Sequence, residues 1–285
     1  MRMIRVLALA AMSALALAAC APVDSTSTST STSTSTSTSS GTLPTLTAGK
    51  LTIGTSDPGY APWVVDNTPS NGKGFESAVA YAVAKKLGFA ATDVVWVPVS
   101  FEQAIAPGAK TFDFDINQVS ISPERAKSVD FSSSYYDTAQ AVVTTKGSKA
   151  ASAKSLADIK GLKIGAMVGT TSLQVAQDVI TPSQEVAAFN DNDQVKQALT
   201  SGLVDAIVVD LPTALYITAA ELTDGVLVGQ LPAGSSPDKF GLVLDKGSAL
   251  TSPVTVAVDA LRKDGTLTAL ETTWLTDAAG APVLK

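Results

Sequence analysis

From residue 50 to residue 285 short apolar runs of strand length alternate with longer stretches whose apolar residues recur every third or fourth position. That alternation restricts the body to an α/β architecture, sheets with helices on their faces. Strands are read at 51–53, 94–99, 113–118, 162–168, 185–189, 204–209 and 241–244. The helix at 74–87 carries Phe75, Val79, Val83 and Leu87 at intervals of four, and Gly88 closes it. Further helices are read at 171–179, 193–200, 212–220 and 253–263, the last with Ser252 as N-cap and Pro253 at its first position. A body of this length favours two lobes over one. Residues 146–154 and 234–239 read as surface loops, and neither Gly72-Lys73-Gly74 nor Gly161-Leu162-Lys163 has the glycine spacing that cradles phosphate.

The residues that are missing narrow the chemistry. Histidine is absent, which removes His-dependent triads and His-ligated metals, and a single cysteine forms no intramolecular disulfide. His-ligated and soft-metal sites therefore lack a ligand set; no cofactor and no metal are expected, and the fold must rest on its apolar core.

The cysteine is Cys20. It follows Leu17-Ala18-Ala19 and a stretch that begins Met1-Arg2-Met3-Ile4-Arg5 and runs apolar from Val6 to Ala18. A basic start, a short apolar core and small residues before a cut describe a secretory leader, 1–19, too short for a spanning helix. An ordinary signal peptide leaves the residue after the cut unconstrained. Small residues directly before the only Cys resemble the bacterial lipobox, in which that thiol is acylated, with palmitate among the expected chains. The body is then held at the extracytoplasmic face of the cell membrane by a lipid anchor. Residues 25–40 are all Ser or Thr, so 20–49 reads as a disordered tether. The 20 basic side chains fall to 18 once Arg2 and Arg5 leave with the leader, against 26 acidic ones. That balance argues against nucleic acid as a partner.

An ordered series of local patterns runs through the body. Asp57-Pro58-Gly59-Tyr60-Ala61-Pro62-Trp63 follows the first strand, Gly74-Phe75-Glu76 opens a helix, and Phe101 follows the next strand. Ser120-Ile121-Ser122-Pro123-Glu124-Arg125 leads through Asp130-Phe131-Ser132 to Tyr135-Tyr136. Asp158-Ile159-Lys160-Gly161 precedes Gly169-Thr170-Thr171-Ser172, the strand at 204–209 ends in Asp210, and Arg262-Lys263-Asp264-Gly265 lies near the C-terminus. Over about residues 50 to 275 the series resembles the family 3 extracellular solute-binding proteins, the amino-acid receptors of ABC importers. The resemblance implies a two-lobed, periplasmic-binding-protein-like (type II) fold with two hinge crossover strands. Lobe 1 would be 50–138 plus 241–285, and lobe 2 would be 139–240.

The same resemblance assigns roles, and elementary electrostatics explains them. A zwitterion leaving water needs partners for both charges. Arg125 would take the α-carboxylate with its two-pronged guanidinium, unless it is an ordinary surface arginine. Main-chain amides near Ser120 and Thr171, with the Thr171 hydroxyl, would add donors, although Thr171 could instead cap a helix. Asp210 would accept from the α-ammonium, or else serve as N-cap of the next helix. Ser120 and the Gln118 carbonyl are further partners for the ammonium. Tyr60 and Phe101 match the positions whose rings sandwich the ligand side chain, with ordinary core packing as the alternative. Trp63 either lines the pocket edge or packs in the core. Asp115 must be paired or near a strand end, and Asn117 and Gln118 could set a polar specificity. Asp113 reads as structural, and Glu76 stands where the family usually has Asp, altering a contact at the helix start.

The expected function is capture of an L-amino acid, polar in character, by a monomer that delivers it to an ABC permease and its ATPase. No bond is made or broken. The same fold hosts a dehydratase of cyclic acids (cyclohexadienyl dehydratase) and a peptidoglycan-cleaving lyase, and an enzyme of that kind would draw its acid or base from Glu76 or Glu102. A ligand-sensing surface lipoprotein is the third reading.

Overall fold

A computed structural model describes residues 43–232, 238–275 and 281–285. Cys20, the leader and the Ser/Thr tether lie outside the described residues. The described chain builds two five-stranded sheets with helices on their faces, the two-lobed arrangement expected from the sequence.

The first sheet has the order β2-β1-β3-β10-β4. Its strands are β1 (Leu51–Thr55), β2 (Val94–Pro98), β3 (Phe114–Asp115), β4 (Val129–Thr138) and β10 (Asp238–Asp245). β1 runs parallel to β2 and β3, while β10 returns antiparallel between β3 and β4. Helices α1 (Phe75–Lys86), α7 (Thr251–Lys263) and α8 (Thr266–Trp274) pack together on this sheet. Phe75, Val79 and Val83 of α1, Leu51 and Ile53 of β1, and Val254, Val258 and Leu261 of α7 share one buried cluster. Each large apolar side chain so buried contributes roughly 1.5–3 kcal/mol.

The second sheet has the order β7-β6-β8-β5-β9. Its strands are β5 (Gln140–Thr145), β6 (Ile164–Met167), β7 (Ala187–Phe189), β8 (Ala206–Asp210) and β9 (Gly225–Gln230). β6 pairs parallel with β7 and β8, and β5 runs antiparallel to β8 and β9. Val142 and Val208 face one apolar cluster of this lobe, and Val143 and Ile207 face the other, as a sheet covered on both sides requires. The helices are α3 (Leu156–Ile159), α4 (Thr171–Val175), α5 (Asn192–Thr200) and α6 (Leu211–Tyr216). Both α4 and α6 run on into a π-helical turn.

Only Ala139 separates β4 of one sheet from β5 of the other, and the chain returns from β9 to β10. The second lobe holds one further segment. Although 139–240 was expected in the second lobe and 241–285 in the first, residues 238–240 belong to β10 of the first sheet and residues 281–285 lie on the second sheet. The Gln230 amide donates to the Pro282 carbonyl at 2.7 Å, the Leu284 amide donates to Gln230 at 2.9 Å, and Leu284 is buried in that lobe's core. At the other end, Leu43 packs against the first lobe's core and the Leu46 amide donates to Asp113 Oδ1 at 2.8 Å. The described chain therefore begins on one lobe and finishes on the other.

Two local expectations change, and one helix is added. α7 starts at Thr251 with Leu250 as its cap, so Ser252 does not cap it; Pro253 falls at the third position, where the missing N–H is still no loss. The strand read at 113–118 closes after Asp115, and the chain beyond it passes through a positive φ of 50° at Gln118 and lines the cavity described below. α2 (Phe101–Ile105) begins with a capping box, the Ser100 hydroxyl accepting from the Gln103 amide while the Gln103 side chain accepts from the Ser100 amide.

Candidate functional site

The carboxyl ends of β1, β3, β6 and β8 point into the space between the sheets, where open α/β folds leave a crevice. A cavity of about 140 Å³ lies there. The first lobe gives it the loop after β1, the head of α2 and the segment from Asn117 to Arg125; the second gives it the turns after β6, β7 and β8.

One end of the cavity is cationic. Arg125 sits on a short 3-10 turn, Arg125–Lys127, that leads into β4. Its Nη1 donates to the Ser120 carbonyl at 2.7 Å and its Nη2 donates across the lobes to the Gly169 carbonyl at 2.9 Å. The guanidinium carbon stands 5.2 Å from the centroid of the Phe101 ring, a cation–π contact. A guanidinium carries five N–H donors, so these two bonds position it without exhausting it. Burial pushes the Arg125 pKa down, and the carboxylates of Asp238 and Asp210 oppose that shift. Beside it the Ser120 and Thr171 hydroxyls meet at 3.2 Å, again across the lobes. The cap of α4 is Thr170, whose hydroxyl accepts from the Leu173 amide, so Thr171 is not the cap and its hydroxyl faces the cavity wall.

The opposite charge is Asp210, last residue of β8. It occupies the N-cap position of α6 yet makes no capping bond. Its Oδ1 instead accepts from Gln140 Nε2 at 2.7 Å. Burial, and then the neighbouring Asp238, raise the Asp210 pKa to about 7, with the Gln140 hydrogen bond and Arg125 opposing.

The floor is a buried polar layer. Glu76, in the first turn of α1, is fully buried and takes hydrogen bonds from the Gln118 amide at 2.7 Å, Gln118 Nε2 at 3.0 Å and the Tyr135 hydroxyl. Burial raises its pKa, and those three bonds hold it down. This clamp fixes Gln118 in its positive-φ conformation, with Asn117 beside it on the cavity wall and the Asn117 Nδ2 buried without a partner. Asp113 binds the Thr52 amide at 2.6 Å and the Leu46 amide at 2.8 Å, a structural role.

The structure thus brings Tyr60, Phe101, Asn117, Gln118, Ser120, Arg125, Thr171 and Asp210 onto one cavity. Trp63 and Asp115 are not part of its wall. Trp63 is a core residue, edge-on to Phe75, Tyr136 and Phe240, and its indole N–H donates to the Thr213 hydroxyl of α6 at 2.8 Å. Asp115 lies fully buried on β3 against Gly54, with neither oxygen hydrogen-bonded, and burial followed by the Glu76 charge raises its pKa well above the usual range. The Tyr60 hydroxyl is buried without a hydrogen-bond partner; burial and the nearby Asp193 and Asp191 raise its pKa. Residues that sequence reasoning passed over are Asp57 and Asp191 at the cavity wall, Thr213, and Gln140 with Asp238 at the crossovers. Asp57, inside the loop pattern after β1, was visible in the sequence; Gln140 carried no spacing signal.

Residues 51–277 match the family described as bacterial extracellular solute-binding proteins, family 3. The L-cystine-binding protein TcyJ of Escherichia coli (strain K12) is 31% identical over 239 residues, covering 83% of this chain and 85% of the relative. Among solved structures, an ancestral arginine-binding protein bound to glutamine is 33% identical with a TM-score of 0.66, covering 80% of this chain and 98% of that one. The ancestral amino acid-binding protein AncCDT-1, a precursor of cyclohexadienyl dehydratase, is 30% identical with the same TM-score, covering 80% of this chain and 96% of that one.

Proposed function

The chain belongs to the bacterial extracellular solute-binding proteins, family 3, and on that footing we propose that its cleft captures an L-α-amino acid for an ABC importer. The observation that carries this is one guanidinium and one carboxylate on different lobes of the same small cavity. A zwitterion satisfies both, and each alone would be a charge partly withdrawn from water without its counterpart. Arg125 and the donors near Ser120 and Thr171 hold the α-carboxylate, Asp210 holds the α-ammonium, and Tyr60 and Phe101 wall the side chain. Besides Asp210, the ionisable carboxyl groups of the cavity wall are Asp57 and Asp191, and Arg125 is its cation among the described residues. An anionic side chain is therefore disfavoured, and an uncharged polar or cationic one fits.

Ligand contacts made by both lobes at once favour the closed arrangement, which is how binding drives closure about the crossovers. Residues 50–138 with 238–275 would move as one lobe, and 139–232 with the final residues as the other. The closed monomer then presents its ligand to the permease and its ATPase. Acylated Cys20 and the Ser/Thr tether keep it at the extracytoplasmic face of the membrane; replacing Cys20 with Ala and finding unchanged membrane retention would remove that anchor.

We read the protein as a binder and not an enzyme. Glu76 is consumed in the floor clamp and Glu102 is exposed on α2 away from the cavity wall, so neither is placed to move a proton on a ligand. Isothermal titration of folded, ligand-stripped protein against the twenty amino acids tests the proposal. Saturable binding of a polar or cationic amino acid is expected; heat from none of them, or turnover of a cyclic acid or cell-wall glycan, would overturn it.

A further inference from the structure

Gln140 opens β5 directly after the first crossover and is buried. Its Nε2 donates to Asp210 Oδ1 and to Asp238 Oδ2, both at 2.7 Å, and stands 3.4 Å from the Thr171 hydroxyl. Its Oε1 accepts from the Ser172 hydroxyl at 2.7 Å. Carboxylates accept only, so the nitrogen end of the amide must face them, and its two hydrogens serve one carboxylate each. Asp210 ends β8 on the second lobe, and Asp238 begins β10 as the chain re-enters the first.

We propose that Gln140 is a positioning residue of the cleft, an amide bridge between Asp210 and Asp238 that aims the Asp210 acceptor and links it to the return crossover. Two carboxylates that converge on one nitrogen repel each other, and the shared amide is what holds them together. Removing the amide leaves that repulsion uncompensated. One acid then keeps its proton, and a protonated Asp210 cannot accept from an ammonium. The charged or titratable groups that face Asp210 are Asp238 of β10, Glu76 of α1, Tyr136 of β4 and Arg125. Of these only Arg125 favours the ionised form, so Gln140 is the neutral group that counters the excess of acids.

The proposal rests on the cleft's being an amino-acid site, and its test separates the two. Gln140→Met keeps length and bulk but carries no donor. A rise of about one unit in the Asp210 midpoint cuts its ionised fraction at pH 7 from about a half to about a tenth. Affinity for the best amino acid should then fall about fivefold at pH 7 and recover as the pH is raised to 8.5. Adding Asp238→Asn to Gln140→Met should restore affinity at pH 7, because the opposing carboxylate is gone. Asp238→Asn alone, which retains the amide, should lower the midpoint and strengthen binding at pH 6. A loss equal at every pH and not rescued by Asp238→Asn would make Gln140 merely structural and overturn the proposal, as would an unchanged pH profile. Carboxyl-carbon NMR titration of Asp210 in ligand-free protein reads the same midpoint. If no amino acid binds the wild type, the ligand reading fails, and an Asp210 midpoint unmoved by Gln140→Met would still overturn the bridge on its own.

Discussion

Arg125 does two jobs with one side chain. Two of its donors tie the Ser120 carbonyl to the Gly169 carbonyl and so join the lobes, while the cavity wall keeps the rest of the guanidinium available. Arg125→Ala should weaken amino-acid binding at least about tenfold, the loss of one charge-assisted hydrogen bond or more, measured by calorimetry. Arg125→Lys keeps the charge but lacks the fork, and should recover only part of that affinity. Unchanged affinity in the alanine variant would remove the carboxylate assignment. Asp115 makes a different prediction, one of stability. Its pKa is raised in the folded protein above its ordinary value near 4, so the stability it contributes is complete below that value and declines as pH rises through the folded midpoint. Asp115→Asn removes this dependence. The variant should gain melting temperature relative to wild type at pH 8 and gain less, or lose, at pH 4; an equal shift at both would show that ionisation at 115 is not involved.

At the scale of elements, the loop after β1 is anchored from three sides. The Trp63 carbonyl receives the Glu76 amide at 3.1 Å, the Gly74 preceding α1 holds a φ of 98°, and the indole reaches Thr213 of α6 in the other lobe. A Cβ at Gly74 would run into the Trp63 carbonyl, so Gly74→Ala should destabilise the fold by about 2 kcal/mol or more, read as a lower melting temperature. In the arrangement described, Thr213→Val leaves the Trp63 indole N–H buried and unpaired, and lobes that part without ligand would free it to meet water. The substitution should weaken ligand binding by about 1–3 kcal/mol with little change in the melting temperature of ligand-free protein. The helices whose apolar residues recur at regular intervals were legible in the sequence; α1 differs from its expected span by one residue at each end. β4 was not, since Ser132-Ser133-Ser134 interrupt its alternation and its pairing with β10 is broken by bulges. α8 was hidden by threonines, a β-branched type with weak helix propensity; Thr272 and Thr273 hydroxyls bond back to carbonyls one turn earlier. The site followed the same rule. Residues inside a compact local pattern, such as Tyr60 and Arg125, could be read in advance. The Gln140 bridge joins positions 32, 70 and 98 apart in sequence, and no spacing along the chain encodes that meeting.

For the whole molecule, a ligand that binds only the closed form stabilises both lobes together. At a hundredfold excess over Kd the gain is about 2.7 kcal/mol, enough to raise the melting temperature by a few degrees. The placement of the chain's ends adds something practical. Ala48 is exposed on the first lobe's side and Lys285 is exposed on the second's, and no cysteine occurs between them. Cysteines introduced at those two positions would accept a donor and an acceptor dye without disturbing any native thiol in the folded body. Energy transfer between the dyes should change on adding the amino acid, with a midpoint equal to the calorimetric Kd, and in the Arg125→Ala variant that midpoint should move to an amino-acid concentration at least about tenfold higher. A flat signal in labelled wild type that still binds would mean that capture occurs without relative movement of the lobes. Because the described backbone finishes on the lobe opposite the one on which it begins, the protein can be turned into an optical gauge of its own ligand without permuting or splitting the fold.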